Sequence, residues 1–419
     1  MAQSGTKPLD DFHQMHFDSI QALRGITALF ILLEHIRFLN CGAFGVDIFF
    51  CISGFMILFS THSDSRFFLR KRLIRILPLY YLMTLGTFLL LLLFPRMFEQ
   101  TRANPVFLLK SFLFLPFDIG GGVLQPLMRI GWTVNCEIFF YFLFAIAMRI
   151  SHKYRGLYCG LFLLAFVAAA RLLPSPPAFL AFYGNPVMLE FLLGMICYGA
   201  ARGLYRSRKL SRFCLCFTIP LLAVGFPVLA LTKQTVNILG FRRPLVWGIP
   251  AFLIVLCAFL TGLFFSGADA DISPSCPERS APQSSREDSS SPTRRAGRVQ
   301  LLPLISSRAP AQSSRGTLFS TPRPAGCMLR QQPFSLCTRV HTKKPGLLVW
   351  LGNISFSLYL VHYYPVMLLD RAVFDFSACT PRALLGAAVA VAVSIFCAFI
   401  SWALIEKRFS AWLRSLLLR

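Results

Sequence analysis

Negative charge is scarce in this chain. Only 18 Asp and Glu stand among 419 residues, against 42 Lys and Arg, and charged residues of every kind amount to 14%. A water-soluble domain of this length needs a larger charged surface, which argues against that class. Organised cysteine is missing too. The 13 cysteines are scattered, several inside apolar runs (Cys51, Cys136, Cys197, Cys257, Cys397), and the only close pair is Cys214-x-Cys216. Neither a disulfide framework nor a zinc pattern fits them, so apolar packing is their expected use and no metal is expected. No secretory leader is expected either. Residues 1–19 are polar, hold Asp10, Asp11 and Asp18, and have no apolar core or small-residue cleavage site, so the first helix is expected to act as targeting signal. Nor is there an internal repeat with paired Gly and Pro interruptions. Such a repeat would support the alternative reading of a many-span chain, a transporter or flippase of a lipid-linked saccharide.

What the chain has is apolar length. It is 55% hydrophobic with 43 Phe, and its mean hydropathy is +0.61. Apolar runs close to bilayer thickness fall at about 20–39, 44–62, 77–95, 132–149, 157–173, 183–201, 213–231, 244–265, 348–369 and 384–405. The expected fold class is all-α: a polytopic membrane helical bundle of about ten transmembrane helices. Its parts are a polar segment 1–19, helices 1–8 over 20–265, a Ser/Pro/Arg-rich loop 266–345, helices 9–10 over 346–406 and a basic tail 407–419. The loop shows no helix or strand period and is expected to be disordered and cytoplasmic. Residues 105–117 are apolar but too short to cross, and suit a re-entrant or interfacial piece. The net charge of +24 then reflects Lys and Arg in loops between spans rather than a nucleic-acid partner. Their bias places both termini in the cytoplasm, in a multi-pass protein of the inner or plasma membrane facing membrane lipid.

Several spans carry residues that are costly in lipid and therefore mark a functional interior. In the first, Arg24 and His35 lie eleven residues apart. That is close to three turns, so both leave one helix face, about 16 Å apart along the axis. Glu34 lies off that face and suits pairing with Arg37 at i+3. Asp47 opens the second span, with Phe50 and Gly54 on its face. Arg72 and Arg75 are side by side at i and i+3, and two guanidinium forks suit the phosphates of a nucleotide-like donor. Thr133, Glu137 and Tyr141 form an inward i, i+4, i+8 stripe, and Ser355, Tyr359 and His362 share a face of the ninth span. Together these groups describe a polar cavity.

The order of these motifs resembles the acyltransferase-3 family of integral-membrane O-acyltransferases. The resemblance rests on Arg24-x10-His35, Gly45-Val-Asp47-x-Phe-Phe with Ser53-Gly-Phe, and Arg72-x-x-Arg75 running into Leu-Pro-Leu-Tyr-Tyr. It continues through Trp132 to Glu137 with Phe-Tyr141, Glu190-Phe-Leu-Leu-Gly194-Met, Trp247-Gly-Ile-Pro-Ala, Leu-Gly352-Asn-Ile-Ser355-Phe-Ser-Leu-Tyr359-Leu-Val-His362, and Glu406-Lys-Arg-Phe409. The chain departs from the family pattern at Thr133-Val134, at Arg408, and in the long 266–345 link. The resemblance implies transfer of an acyl group, typically acetyl, from acetyl-CoA or another acyl-CoA to a hydroxyl of a carbohydrate or lipid-linked envelope acceptor outside the cytoplasm. No permanently bound cofactor is implied. In that reading His35 is a general base or an acyl carrier. Arg24 orients the donor or offsets charge on its carbonyl oxygen, and Asp47 and Glu137 hold His35 or the acceptor. Arg72 and Arg75 bind the acyl-CoA, while Trp132, Tyr141, Ser355, Tyr359 and His362 contact substrate.

Overall fold

A computed structural model describes residues 17–63, 65–95, 102–206, 218–232, 242–271 and 346–418. These residues fall in one unit; a second unit, Pro274–Lys344, lies outside the described residues. The N-terminal half begins with α1 (Asp18–Glu34), α2 (Gly45–Ser63), and α3 (Phe68–Leu93), which carries Pro78 inside it. A short helix α4 (Pro105–Phe112) follows, capped by the Asn104 side chain and started by a proline, whose missing N–H costs nothing at that position. A two-stranded antiparallel hairpin, β1 (Phe117–Asp118) and β2 (Leu124–Gln125), leads into α5 (Trp132–Ile150). Next come α6 (Arg155–Leu172), α7 (Ala178–Tyr183), α8 (Leu189–Arg206), α9 (Thr218–Leu231) and α10 (Ile249–Asp271). The C-terminal part holds α11 (Leu347–Asn353), α12 (Ser355–Val361) and α13 (Tyr363–Leu369), then α14 (Pro381–Ser401) running through a wide turn, Trp402–Phe409, into α15 (Ser410–Leu417).

Among the described residues, seven stretches are long and apolar enough to cross a bilayer: Gly45–His62, Phe68–Leu93, Arg129–Ile150, Arg155–Leu172, Pro186–Tyr205, Pro244–Leu263 and Pro381–Leu417. The other three expected spans are helical but shorter. α1 has 17 residues, and α9 has 14 and adjoins undescribed stretches. The ninth falls into three short helices that meet at Ile354 and His362; Ile354 distorts the backbone locally, while i→i−4 bonds from Leu358 N–H to Ile354 (2.8 Å), His362 N–H to Leu358 (3.1 Å) and Val366 N–H to His362 (3.2 Å) carry the helix on. The 105–117 piece forms the eight-residue α4, too short to span. Helix α10 continues to Asp271, and the rest of the expected loop lies outside the described residues. On α3, Leu82, Leu85, Leu89 and Leu92 are each 41–54% exposed. A leucine stripe of that kind is untenable in water and suits hydrocarbon.

Two close helix crossings set the interior. A side chain at Gly25 of α1 would meet the Leu348 carbonyl oxygen at 2.5 Å and the Gly352 nitrogen at 2.9 Å, so α1 and α11 touch backbone to backbone. Likewise Gly54 of α2 and Gly194 of α8 each lie against the other helix's main chain. Without a hydrophobic drive between helices in lipid, such small-residue contacts supply the dispersion that holds them. Beside the second crossing, Phe191 stacks between Phe50 and Phe140 at centroid distances of 4.3 Å, each contact worth about 0.5–1.5 kcal/mol.

Candidate active site

The polar stripes converge on a cavity of about 130 Å³ lined by side chains from α1, α2, α3, α5 and α12. Three guanidinium groups reach it: Arg24, Arg72 and Arg75. Arg24 Nη1 donates to Gln21 Oε1 (3.1 Å), and Gln21 Nε2 donates to Asn353 Oδ1 (2.9 Å). The ninth segment thus orients the first helix's arginine beside the Gly25–Gly352 crossing. Arg72 Nη2 donates to Ser60 Oγ (2.8 Å), and its guanidinium lies 5.6 Å from the Tyr141 ring centroid. The Tyr141 hydroxyl donates to Glu137, which also accepts from Ser53 Oγ (3.2 Å). Arg24 feels the charges of Arg75, Glu137 and Glu406, and the Ser357 hydroxyl donates to Glu406. Among the described residues of the lining, Glu137 is the only carboxylate against three cations, so the cavity favours an anionic guest.

A larger cavity, about 1210 Å³, holds His35, Glu34, Arg37, Trp132, Arg243 and Tyr363 among its lining. Val46 and Tyr359 belong to both linings, so the two cavities adjoin there. Tyr359 is fixed at that boundary: its hydroxyl donates to the Ile130 carbonyl (2.8 Å) and lies 2.6 Å from Thr133 Oγ1.

At the end of α1, His35 meets His362. His35 Nδ1 lies 2.9 Å from the Ile31 carbonyl oxygen and 3.2 Å from His362 Nε2, and His362 Nδ1 lies 3.0 Å from the Leu358 carbonyl oxygen. Carbonyls only accept, so each ring carries its proton on Nδ1, and His362 Nε2 offers a lone pair to His35 Nδ1–H. That arrangement puts the basic lone pair of His35 on Nε2. His362 is wholly buried, and the rings meet edge to face with centroids 4.9 Å apart.

Asp47 serves a different partner from those expected. Arg243 grips it with two bonds, Nε to Oδ1 at 3.0 Å and Nη2 to Oδ2 at 2.9 Å, and Glu190 Oε1 stands 3.9 Å from the same Nε. The guanidinium lies between two indoles, 6.0 Å from the Trp132 centroid and 5.1 Å from that of Trp247. Asp47 is fully buried and lines neither cavity, while Arg243 lines the larger one.

Of the residues singled out in the sequence, Arg24, Arg72, Arg75, Glu137, Tyr141 and Ser355 line the smaller cavity, Tyr359 lines both, and His35 and Trp132 line the larger, whereas His362, expected to contact substrate, lines neither and is buried against His35. The expectation of one pocket for Arg24 and His35 is corrected: α1 ends at Glu34, His35 caps it, and the two side chains enter separate chambers. Glu34 accepts from the Gly42 and Ala43 amides (2.8 and 3.0 Å), whereas Arg37 reaches Asp370 and Asp375 (3.0 and 2.8 Å). The expected Glu34–Arg37 pair gives way because a turn of main-chain N–H groups satisfies the carboxylate better than one exposed guanidinium. Arg243 and Glu190 were not singled out as site residues. Glu190 had a signal, a carboxylate within an apolar run; Arg243 had only its place just before a span.

A family model described as an acyltransferase domain, that of acyltransferase-3, matches residues 17–274. The chain is 34% identical over 209 residues to the exopolysaccharide production protein ExoZ of Rhizobium meliloti (strain 1021), a stretch covering 48% of this chain and 59% of that protein. It is 27% identical over 158 residues to "Putative peptidoglycan O-acetyltransferase YrhL" of Bacillus subtilis (strain 168), covering 33% of this chain and 25% of that protein. The matched stretch is therefore less than two thirds of either relative's length. No solved structure matches.

Proposed function

The chain belongs to the acyltransferase-3 family, and from that premise we propose that it is a membrane O-acyltransferase moving an acyl group, acetyl in the simplest case, from cytoplasmic acyl-CoA to a hydroxyl of an extracytoplasmic carbohydrate. The names of the two relatives, exopolysaccharide production and peptidoglycan O-acetylation, support the acceptor class. The observation that carries the reading is the pair of chambers meeting at Val46 and Tyr359, the smaller lined by Arg24, Arg72 and Arg75, the larger by the His35 imidazole together with four arginines.

In this reading both termini and the Arg72/Arg75 end face the cytoplasm of an inner or plasma membrane. The phosphates of the donor engage Arg72 and Arg75, and Arg24 and Glu137 align the thin arm that bears the thioester. The acyl end reaches the Val46/Tyr359 boundary. In the larger chamber, His35 Nε2 takes the proton of the acceptor hydroxyl as its oxygen attacks the thioester carbonyl carbon. The C–S bond breaks, and coenzyme A leaves as thiolate and recovers the proton. Arg243, its Nε and Nη2 held by Asp47, places positive charge where the carbonyl oxygen gains negative charge.

The test is His35→Ala in reconstituted membranes, with radiolabelled acetyl-CoA as donor and the envelope saccharide fraction of a deletion strain as acceptor. Transfer is abolished while expression and insertion stay normal. Substantial residual transfer would refute the assignment.

A further inference from the structure

The larger chamber is richer in positive charge than its chemistry needs. Besides Arg243, its lining holds Arg37, Arg129 and Arg171, against Glu34 as the single carboxylate among the described residues. Most of these charges are accounted for. Arg243 is held by Asp47 and Arg37 by Asp370 and Asp375, while Glu34 accepts from two backbone amides. Arg129 and Arg171 differ: both are exposed, and neither has an ion pair or side-chain hydrogen bond among the described residues. They come from separate elements, Arg129 from the turn that starts α5 and Arg171 from the last turn of α6, and both line this chamber. In the orientation proposed above, these arginines lie on the side away from the cytoplasm, against the charge bias of membrane loops. Trp132, the half-buried indole after the Arg129 turn, adds an apolar face of the kind a sugar ring stacks on.

We infer that the larger chamber selects an acidic saccharide acceptor, one whose carboxylate or phosphate is taken by the Arg129 and Arg171 forks while a sugar ring rests on Trp132. The inference rests on the acyl-transfer reading for which hydroxyl reacts, but not for which ligand binds. Guanidinium forks match carboxylate and phosphate oxygens in pairs, and the remaining ion pairs hold the chamber's other cations in place. A neutral saccharide would leave both forks to water and gain only the indole contact.

The experiment measures binding rather than turnover. Purified protein in nanodiscs is titrated with fluorescent tetraglucuronate, glucose 1-phosphate and neutral cellotetraose. This is done in discs of neutral phosphatidylcholine and again in discs containing phosphatidylglycerol. Both acidic probes bind about tenfold tighter than cellotetraose, the preference shrinks with added salt, and Arg129→Gln with Arg171→Gln removes it. Equal binding of acidic and neutral probes would overturn the inference, as would a preference that survives the double substitution. A preference that vanishes in phosphatidylglycerol discs would assign the arginines to lipid headgroups and overturn it as well. Absence of acetyl transfer with the acidic preference intact would instead count against the enzymatic reading.

Discussion

Breaking the Asp47–Arg243 pair is the sharpest perturbation of the site's framework. Asp47→Ala removes two hydrogen bonds of 3.0 and 2.9 Å from a guanidinium whose side chain is only 2% exposed. An uncompensated buried charge of this kind costs about 3–5 kcal/mol. Glu190, its carboxylate 3.9 Å from Arg243 Nε and without a hydrogen-bond partner among the described residues, takes up part of the lost attraction, which places the effect near the lower end, about 3 kcal/mol. Pairing the change with Arg243→Met removes the stranded charge and should recover about 2 kcal/mol. The assay is equilibrium unfolding in mixed micelles, as a double-mutant cycle over the wild type, both single variants and the double. Losses of the single variants that simply add, or an Asp47→Ala loss below about 1 kcal/mol, would show that the pair is not the buried clamp described.

The two cavities make separable kinetic predictions. Arg72→Ala with Arg75→Ala raises the KM for acetyl-CoA by about tenfold or more, the equivalent of one charge-assisted contact, with little change in the KM for the saccharide; an unchanged donor KM in steady-state assays would make these arginines a lipid anchor. His362→Phe removes the acceptor of His35 Nδ1–H while the Ile31 carbonyl still holds the tautomer, so kcat falls about tenfold, the worth of one buried hydrogen bond, and the acetyl-CoA KM does not move. His362→Gln, which keeps an acceptor, restores part of that loss, and equal kcat values for the Phe and Gln variants would contradict the positioning role.

The arginine stripe at 72 and 75 and the stripe from Thr133 to Tyr141 were legible because helical periodicity alone decides which side chains share a face. Those residues do line one cavity. Arg24 and His35 also obey the spacing, yet it says nothing of what packs between them. The divide at Tyr359 comes from a hydrogen bond to Ile130, 229 positions away in the chain. The partner of Asp47 was illegible for the same reason, since it stands 196 residues downstream. The local distortion of the ninth span at Ile354 left no mark in the sequence, because an apolar run long enough to span looks alike whether regular or distorted. The meeting of two histidines 327 positions apart likewise exists only in the folded chain.

The central claim is that donor and acceptor enter from opposite faces and meet where the two cavities adjoin. Proteoliposomes of uniform protein orientation test it directly, with radiolabelled acetyl-CoA confined to one side and envelope saccharide confined to the other or to the same side. Labelled saccharide is expected only when the two are separated by the membrane, with acetyl-CoA on the Arg72/Arg75 side. Transfer only when both share one side would contradict it.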